Sequence, residues 1–209
     1  MPGARGSATI SNWTTFETRP IGASATRDGC VDEIMLADLE ERILESSQDM
    51  FIVMHRAGSH GPAYYRRYPD EFRVFAPECR SDAPESCTTE ELINSYDNSI
   101  LYTDHFLDRL IDILDGLSAE RSVSMIYASD HGESLGENGL FLHGLPYAIA
   151  PESQTHVPMI MWVPATFAGN GAALRNCLQE RATEKLSHDN LFPTMLSLSA
   201  CTRRTRTAR

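Results

Sequence analysis

Two histidine-bearing turns hold the residue types best suited to chemistry. The run Ser129-Asp130-His131-Gly132-Glu133-Ser134-Leu135-Gly136-Glu137-Asn138-Gly139 is followed at residue 143 by another histidine. A second turn, Gly58-Ser59-His60-Gly61-Pro62, again holds a histidine between glycines. A carboxylate and an imidazole side by side on an irregular loop can point at one cation, whereas neighbours on a regular strand face opposite ways. Zinc accepts that oxygen and nitrogen donor set. Asp130, His131, His60 and His143 are therefore expected to converge on zinc. The plainer alternative has Asp130 capping its turn, His131 packed beneath it and His60 a turn histidine without a task.

The flanking sequence supplies elements to position these turns. Val123-Ser124-Met125-Ile126-Tyr127-Ala128 reads as a short buried strand. It delivers Asp130 and His131 to its carboxyl end, where α/β sheets bind ligands. Phe51-Ile52-Val53-Met54-His55 reads as a second strand, running into the His60 turn. Val157–Val163 reads as a third, with Pro158 near its start where a missing donor is tolerated. A helix is expected from Val31, because Val31, Met35, Leu39 and Ile43 recur every four residues. Thr88-Thr89-Glu90-Glu91 forms a capping box. The helix it opens should run to about Leu117, with Leu92, Tyr96, Ile100, Phe106, Leu110 and Leu114 inward and His105 structural. Further helices are expected near 172–181 and 189–198, the latter opened by Ser187-His188-Asp189-Asn190, with His188 in a capping role or, as the alternative, a further ligand. Tyr64, Tyr65, Arg66, Arg67 and Tyr68 either line a pocket for an anionic headgroup or form an ordinary surface turn.

Composition narrows the class. The 209 residues suffice for one domain with a sizeable core, and 42% hydrophobic content argues against wholesale disorder. A formal net charge of −11 leaves no basic face for nucleic acid. No apolar run approaches the ~18 residues that span a bilayer, and Met1-Pro2-Gly3-Ala4-Arg5-Gly6 lacks the apolar core of a secretory signal. Residues 1–29 read as a poorly ordered leader, and 199–209 turn abruptly to Arg and Thr. Cys79 and Cys87 bracket a polar loop of turn formers, which suits a disulfide better than two core thiols. The five cysteines are an odd number, and Cys30, Cys177 and Cys201 have no evident mates.

Together these motifs resemble the lipid A phosphoethanolamine transferases. That group includes the mobile colistin resistance enzymes and sits within the alkaline phosphatase and sulfatase superfamily. The resemblance covers about residues 30–198. It rests on Gly58–Pro62 with Tyr64-Tyr65, Cys79 and Cys87, Tyr96-Asp97-Asn98, Ser129–Gly139, His143-Gly144-Leu145-Pro146-Tyr147-Ala148 and Ser187–Asn190.

The resemblance implies an α/β, alkaline-phosphatase-like sheet flanked by helices and incomplete on its N-terminal side. It implies an inner-membrane enzyme whose periplasmic, zinc-dependent domain acts as a monomer. Such an enzyme moves phosphoethanolamine from phosphatidylethanolamine to lipid A through a phosphorylated threonine. Asp130 and His131 would correspond to two ligands of the catalytic zinc. His60 and His143 would stand near the substrate phosphate, where they can hold a second zinc. Cys79–Cys87 would match a family disulfide, and Cys30 a family cysteine whose mate lies just upstream. The nucleophilic threonine, a glutamate ligand and the membrane segment would lie upstream of this chain. Thr14, Thr15 and Thr18 stand in no matching context, and the tail after Leu198 departs from the pattern. The expectation is thus a truncated catalytic domain that cannot run the transfer alone. The alternatives are a non-catalytic zinc-binding remnant and a related metal-dependent phosphatase or sulfatase.

Overall fold

A computed structural model of the protein describes residues 25–26, 29–30 and 32–206, with side chains from 32 to 199. The expected leader over 1–29 thus lies largely outside the described residues. Within it β1 (Ala25–Thr26) pairs antiparallel with β2 (Gly29–Cys30). The chain forms two compact units, residues 1–57 and 58–209.

In the first unit the helix expected from Val31 is broken. A 3-10 turn over Asp32–Leu36 gives way to α1 (Leu39–Glu45), and Asp38 between them takes φ +58°. That left-handed conformation, which Asp tolerates better than most residues, ends any continuous right-handed helix. Asp32 also draws the start of the segment elsewhere. Its buried carboxylate accepts from Arg56 Nε and from the Ala57 N–H, each at 3.1 Å. The run Phe51–His55 is irregular rather than a strand, and Val53 is exposed. An apolar composition favours extended backbone, but a strand exists only where a neighbour completes its hydrogen-bond ladder.

The second unit is built around α2 (Thr89–Leu117). Its capping box is formed as the sequence predicts. Glu91 N–H donates to Thr88 Oγ1 at 3.2 Å, and Thr88 N–H donates to Glu91 Oε2 at 2.8 Å. The buried stripe of α2 runs through Leu92, Ser95, Ser99, Tyr102, Phe106, Leu110, Leu114 and Leu117. Ile100, expected inward, lies at the edge of that stripe and is exposed. The ring of His105 lies tilted against that of Phe72, with centroids 4.9 Å apart.

After α2 come β3 (Met125–Ala128), β4 (Ser134–Leu135), β5 (Phe141–Leu142), α3 (Glu152–Thr155), β6 (Met159–Trp162), α4 (Gly171–Glu180) and α5 (Leu191–Arg206). β3 and β6 pair antiparallel with Met125 opposite Trp162 and Ala128 opposite Met159, and β4 pairs antiparallel with β5. α5 extends past Leu198 to Arg206, into the stretch expected to diverge. One apolar cluster gathers Tyr64, Cys79 and Leu92 with Tyr96, Leu135, Phe141 and Leu142. Another gathers Val163, Phe167 and Ala168 with Leu174, Leu178 and Leu198. The architecture is α/β, helices with small sheets, as the sequence implies. Among the described residues no helix is long and apolar enough to cross a membrane.

Candidate metal centre

β3 ends at Ala128, and the chain beyond it is pinned rather than free. Ser129 N–H donates to the Pro158 carbonyl at 3.3 Å, and Gly132 N–H to the Gln154 carbonyl at 3.0 Å. Gly132 approaches so closely that a β-carbon there would collide with the Ser153 carbonyl oxygen. Gln154 Nε2 in turn donates to the buried Ser134 hydroxyl at 2.9 Å. The β4–β5 hairpin then folds the chain back to His143. Leu142, just before it, holds φ +63°, a left-handed conformation costing about 1–2 kcal/mol in a non-glycine residue. Its half-buried side chain packs against the cluster around Tyr64.

Three of the four expected histidine and aspartate side chains meet. The ligand atoms of His60, His131 and His143 all lie within 4.8 Å of one another. The rings of His131 and His143 stack at 3.9 Å, and His60 stands edge-on to them at 5.5 and 4.7 Å. In each ring Nδ1 faces an obligate acceptor. His60 Nδ1 meets the Gly61 carbonyl at 2.6 Å, His131 Nδ1 the Gly132 carbonyl at 3.0 Å, and His143 Nδ1 the Glu133 carboxylate at 3.1 Å. Acceptors at Nδ1 assign the proton there, which leaves the lone pair of each Nε2 for a ligand. A carboxylate or carbonyl behind a histidine is the usual support of a metal-bound imidazole. The donor set and its support fit a zinc ion.

Asp130 stands apart from this triplet. Its side chain is 80% exposed, its Oδ1 accepts the His131 N–H at 3.1 Å, and the same oxygen lies 4.0 Å from His131 Nε2. The carboxylate thus caps its turn while remaining beside the edge of the cluster.

Glu133 was not singled out by sequence, yet it is the most buried charge here, only 6% exposed. Its Oε1 accepts the Gly61 N–H at 3.0 Å as well as His143 Nδ1. Its Oε2 and the Tyr64 hydroxyl are buried without a formed hydrogen bond. Burial first, and the charge of Glu133 second, push the Tyr64 phenol far above the ordinary tyrosine range. The half-buried Tyr96 is raised by the same two causes in the same order. The signal available in sequence was only that Glu133 sits two residues past His131 in a glycine-bounded turn.

Nearby residues complete the frame. Arg67 Nε donates to the His60 carbonyl at 2.8 Å, whereas Arg66 and Tyr65 meet Asp82 on the surface. His188 does not cap. Ser187 does so, and the His188 ring reaches the Ser129 carbonyl at 2.8 Å across a 59-residue separation. Cys79 and Cys87 are disulfide-bonded with Cα atoms 5.7 Å apart, and Cys177 is free and exposed. Thr14, Thr15 and Thr18 lie outside the described residues.

The family described as Sulfatase matches residues 3–200. Phosphoethanolamine transferase EptA of Escherichia coli K12 is 48% identical over 171 residues, covering 81% of this chain and 31% of the relative. Phosphatidylethanolamine transferase Mcr-1 of Escherichia coli is 41% identical over 171 residues, covering 81% and 30%. Among solved structures, the integral membrane protein lipooligosaccharide phosphoethanolamine transferase A from Neisseria meningitidis matches with a TM-score of 0.76 at 43% identity. The match covers 81% of this chain and 32% of that one. The chain spans about a third of the length of these relatives.

Proposed function

The chain belongs to the sulfatase family, and from that premise we propose that it supplies the histidine half of a zinc-dependent phosphoethanolamine transferase. The proposed reaction moves phosphoethanolamine from phosphatidylethanolamine to lipid A at the periplasmic face of the inner membrane. The observation that carries this reading is the convergence of His60, His131 and His143, each with Nδ1 engaged and Nε2 unspent.

His131 is proposed to hold zinc together with the neighbouring Asp130 carboxylate, and His60 and His143 to contact the phosphoryl group or share a second ion. A bound zinc supplies positive charge against phosphoryl oxygens and lowers the pKa of a coordinated hydroxyl. This chain's own residues orient the donors. The pinned turn at Gly132 fixes His131, the strained Leu142 aims His143, and Arg67 fastens the backbone at His60. His60 is exposed, which leaves this side of the cluster open to an incoming phosphate.

The test places residues 58–198 into the Escherichia coli EptA relative in place of its matching segment and reads lipid A by mass spectrometry. A phosphoethanolamine adduct is expected from the chimera and not from its His131→Ala form. An undiminished adduct from the His131→Ala chimera would overturn the assignment.

A further inference from the structure

The Glu133 carboxylate is more than a neighbour of the cluster. It is almost fully buried, and a buried ionised carboxylate is costly unless its oxygens are matched by donors. One oxygen, Oε1, takes two donors from two different loops: the Gly61 N–H and His143 Nδ1. The first contact spans 72 residues of sequence and the second ten. Gly61 directly follows His60, and the β-carbon of any larger residue at 61 would sit 2.9 Å from the Tyr64 hydroxyl. One buried atom therefore fixes the backbone beside one histidine and the ring of another.

We propose that Glu133 is the positioning residue of the histidine cluster, holding the His60 and His143 loops in one register and His143 as its Nδ1–H tautomer. The proposal deepens the zinc reading above and rests on it for its consequence, not for its geometry. Loss of an outer-shell carboxylate of this kind costs about 10–100-fold in metal affinity. A carboxamide in the same place retains an accepting oxygen, so the proposal ranks the two obvious replacements differently.

The experiment uses the 209-residue chain with zinc chloride as the probe. Long-range 1H–15N correlation on the zinc-free protein should show His143 protonated at Nδ1. Isothermal titration should then show zinc affinity lowered about 10–100-fold in Glu133→Ala and less than about 10-fold in Glu133→Gln. Glu133→Ala should also lose the single-tautomer signature of His143, and Glu133→Gln should keep it. His143 protonated at Nε2 in the unsubstituted chain would overturn the proposal, as would a folded Glu133→Ala protein unchanged in both readouts. Equal impairment of the two variants would overturn the accepting role. Should Glu133→Ala fail to fold, the unsubstituted spectrum and the Glu133→Gln titration decide. A chain that shows the Nδ1–H signature but binds no zinc would sink the metal reading and leave the positioning role standing.

Discussion

Two polar clusters in the second unit are built from similar residues to opposite ends. One lies where the loop from Tyr68 to Cys87 meets α2, and there each group named is answered. Asn98, fully buried, accepts the N–H groups of Val74 and Phe75 at 3.0 and 2.8 Å and donates to the Phe75 carbonyl at 3.0 Å. Ser95 Oγ donates to the Cys79 carbonyl, Tyr68 to Glu78, and Arg73 pairs with both Asp70 and Glu78. The histidine cluster stops short of such closure. Each imidazole is satisfied at Nδ1 by a carbonyl or carboxylate, and among the described residues no protein hydrogen bond is formed at its Nε2. A structural network consumes its donors and acceptors internally. A site holds its ligating atoms in place through their far sides and keeps the near sides open.

The comparison breaks first at His131. Removing an imidazole from the open cluster should lower zinc affinity by more than the ~10–100-fold of an outer-shell loss, with little change in fold stability because the ring is solvent-facing on one side. Elemental analysis after dialysis of the His131→Ala protein checks it, and unchanged zinc content would show that His131 is not a zinc ligand.

The closed cluster should answer in the other currency. Asn98→Ala leaves the Val74 and Phe75 N–H groups without an acceptor, at about 1–3 kcal/mol each. A net loss of about 2–4 kcal/mol in urea denaturation is expected, with zinc content per folded chain unchanged. Substituting both Cys79 and Cys87 by Ser comes next. The short loop they close is worth about 2–3 kcal/mol on the chain-entropy model, and zinc binding should again hold. A fall in zinc stoichiometry in either protein would erase the division between the two regions.

What sequence made legible follows the range of the interactions. The Thr88–Glu91 capping box, the start and length of α2, the β3 segment and the Cys79–Cys87 link are local patterns, and they fold as patterned. The broken helix near Asp38 and the irregular run Phe51–His55 were misread because both outcomes depend on partners distant in sequence. Asp32 is captured by Arg56, 24 residues on, and no periodicity announces that. The histidine turns were legible as chemistry because glycines and histidines recur at both. Glu133 was not, since its partner Gly61 contributes only a backbone N–H, which every residue but proline carries. Asp130, paired with His131 by adjacency, proved exposed because a tight turn sends neighbouring side chains in different directions.

The smallest expected effect tests whether the closed cluster is closed by its phenol. The Tyr68 hydroxyl donates to Glu78 Oε2 at 3.0 Å and lies 3.5 Å from Asn98 Nδ2, with Arg73 over its ring. Burial is the largest influence and raises its pKa; Asn98 donation opposes this and the Glu78 charge adds to it, leaving the phenol at about 12. An unfolded tyrosine titrates near ~10. The folded value is the higher one, so the neutral phenol is the form the fold prefers. Its contribution to stability is complete below about pH 10 and drains as pH rises from there through about 12. Tyr64 and Tyr96, raised in the same direction, add to that decline, so it should become shallower in Tyr68→Phe without vanishing. The variant should also lose about 1 kcal/mol at neutral pH from the missing hydrogen bond. Urea midpoints measured across this alkaline range decide. An identical slope in the two proteins would mean that Tyr68 does not seal its cluster, and that the contrast with the histidine site is one of degree.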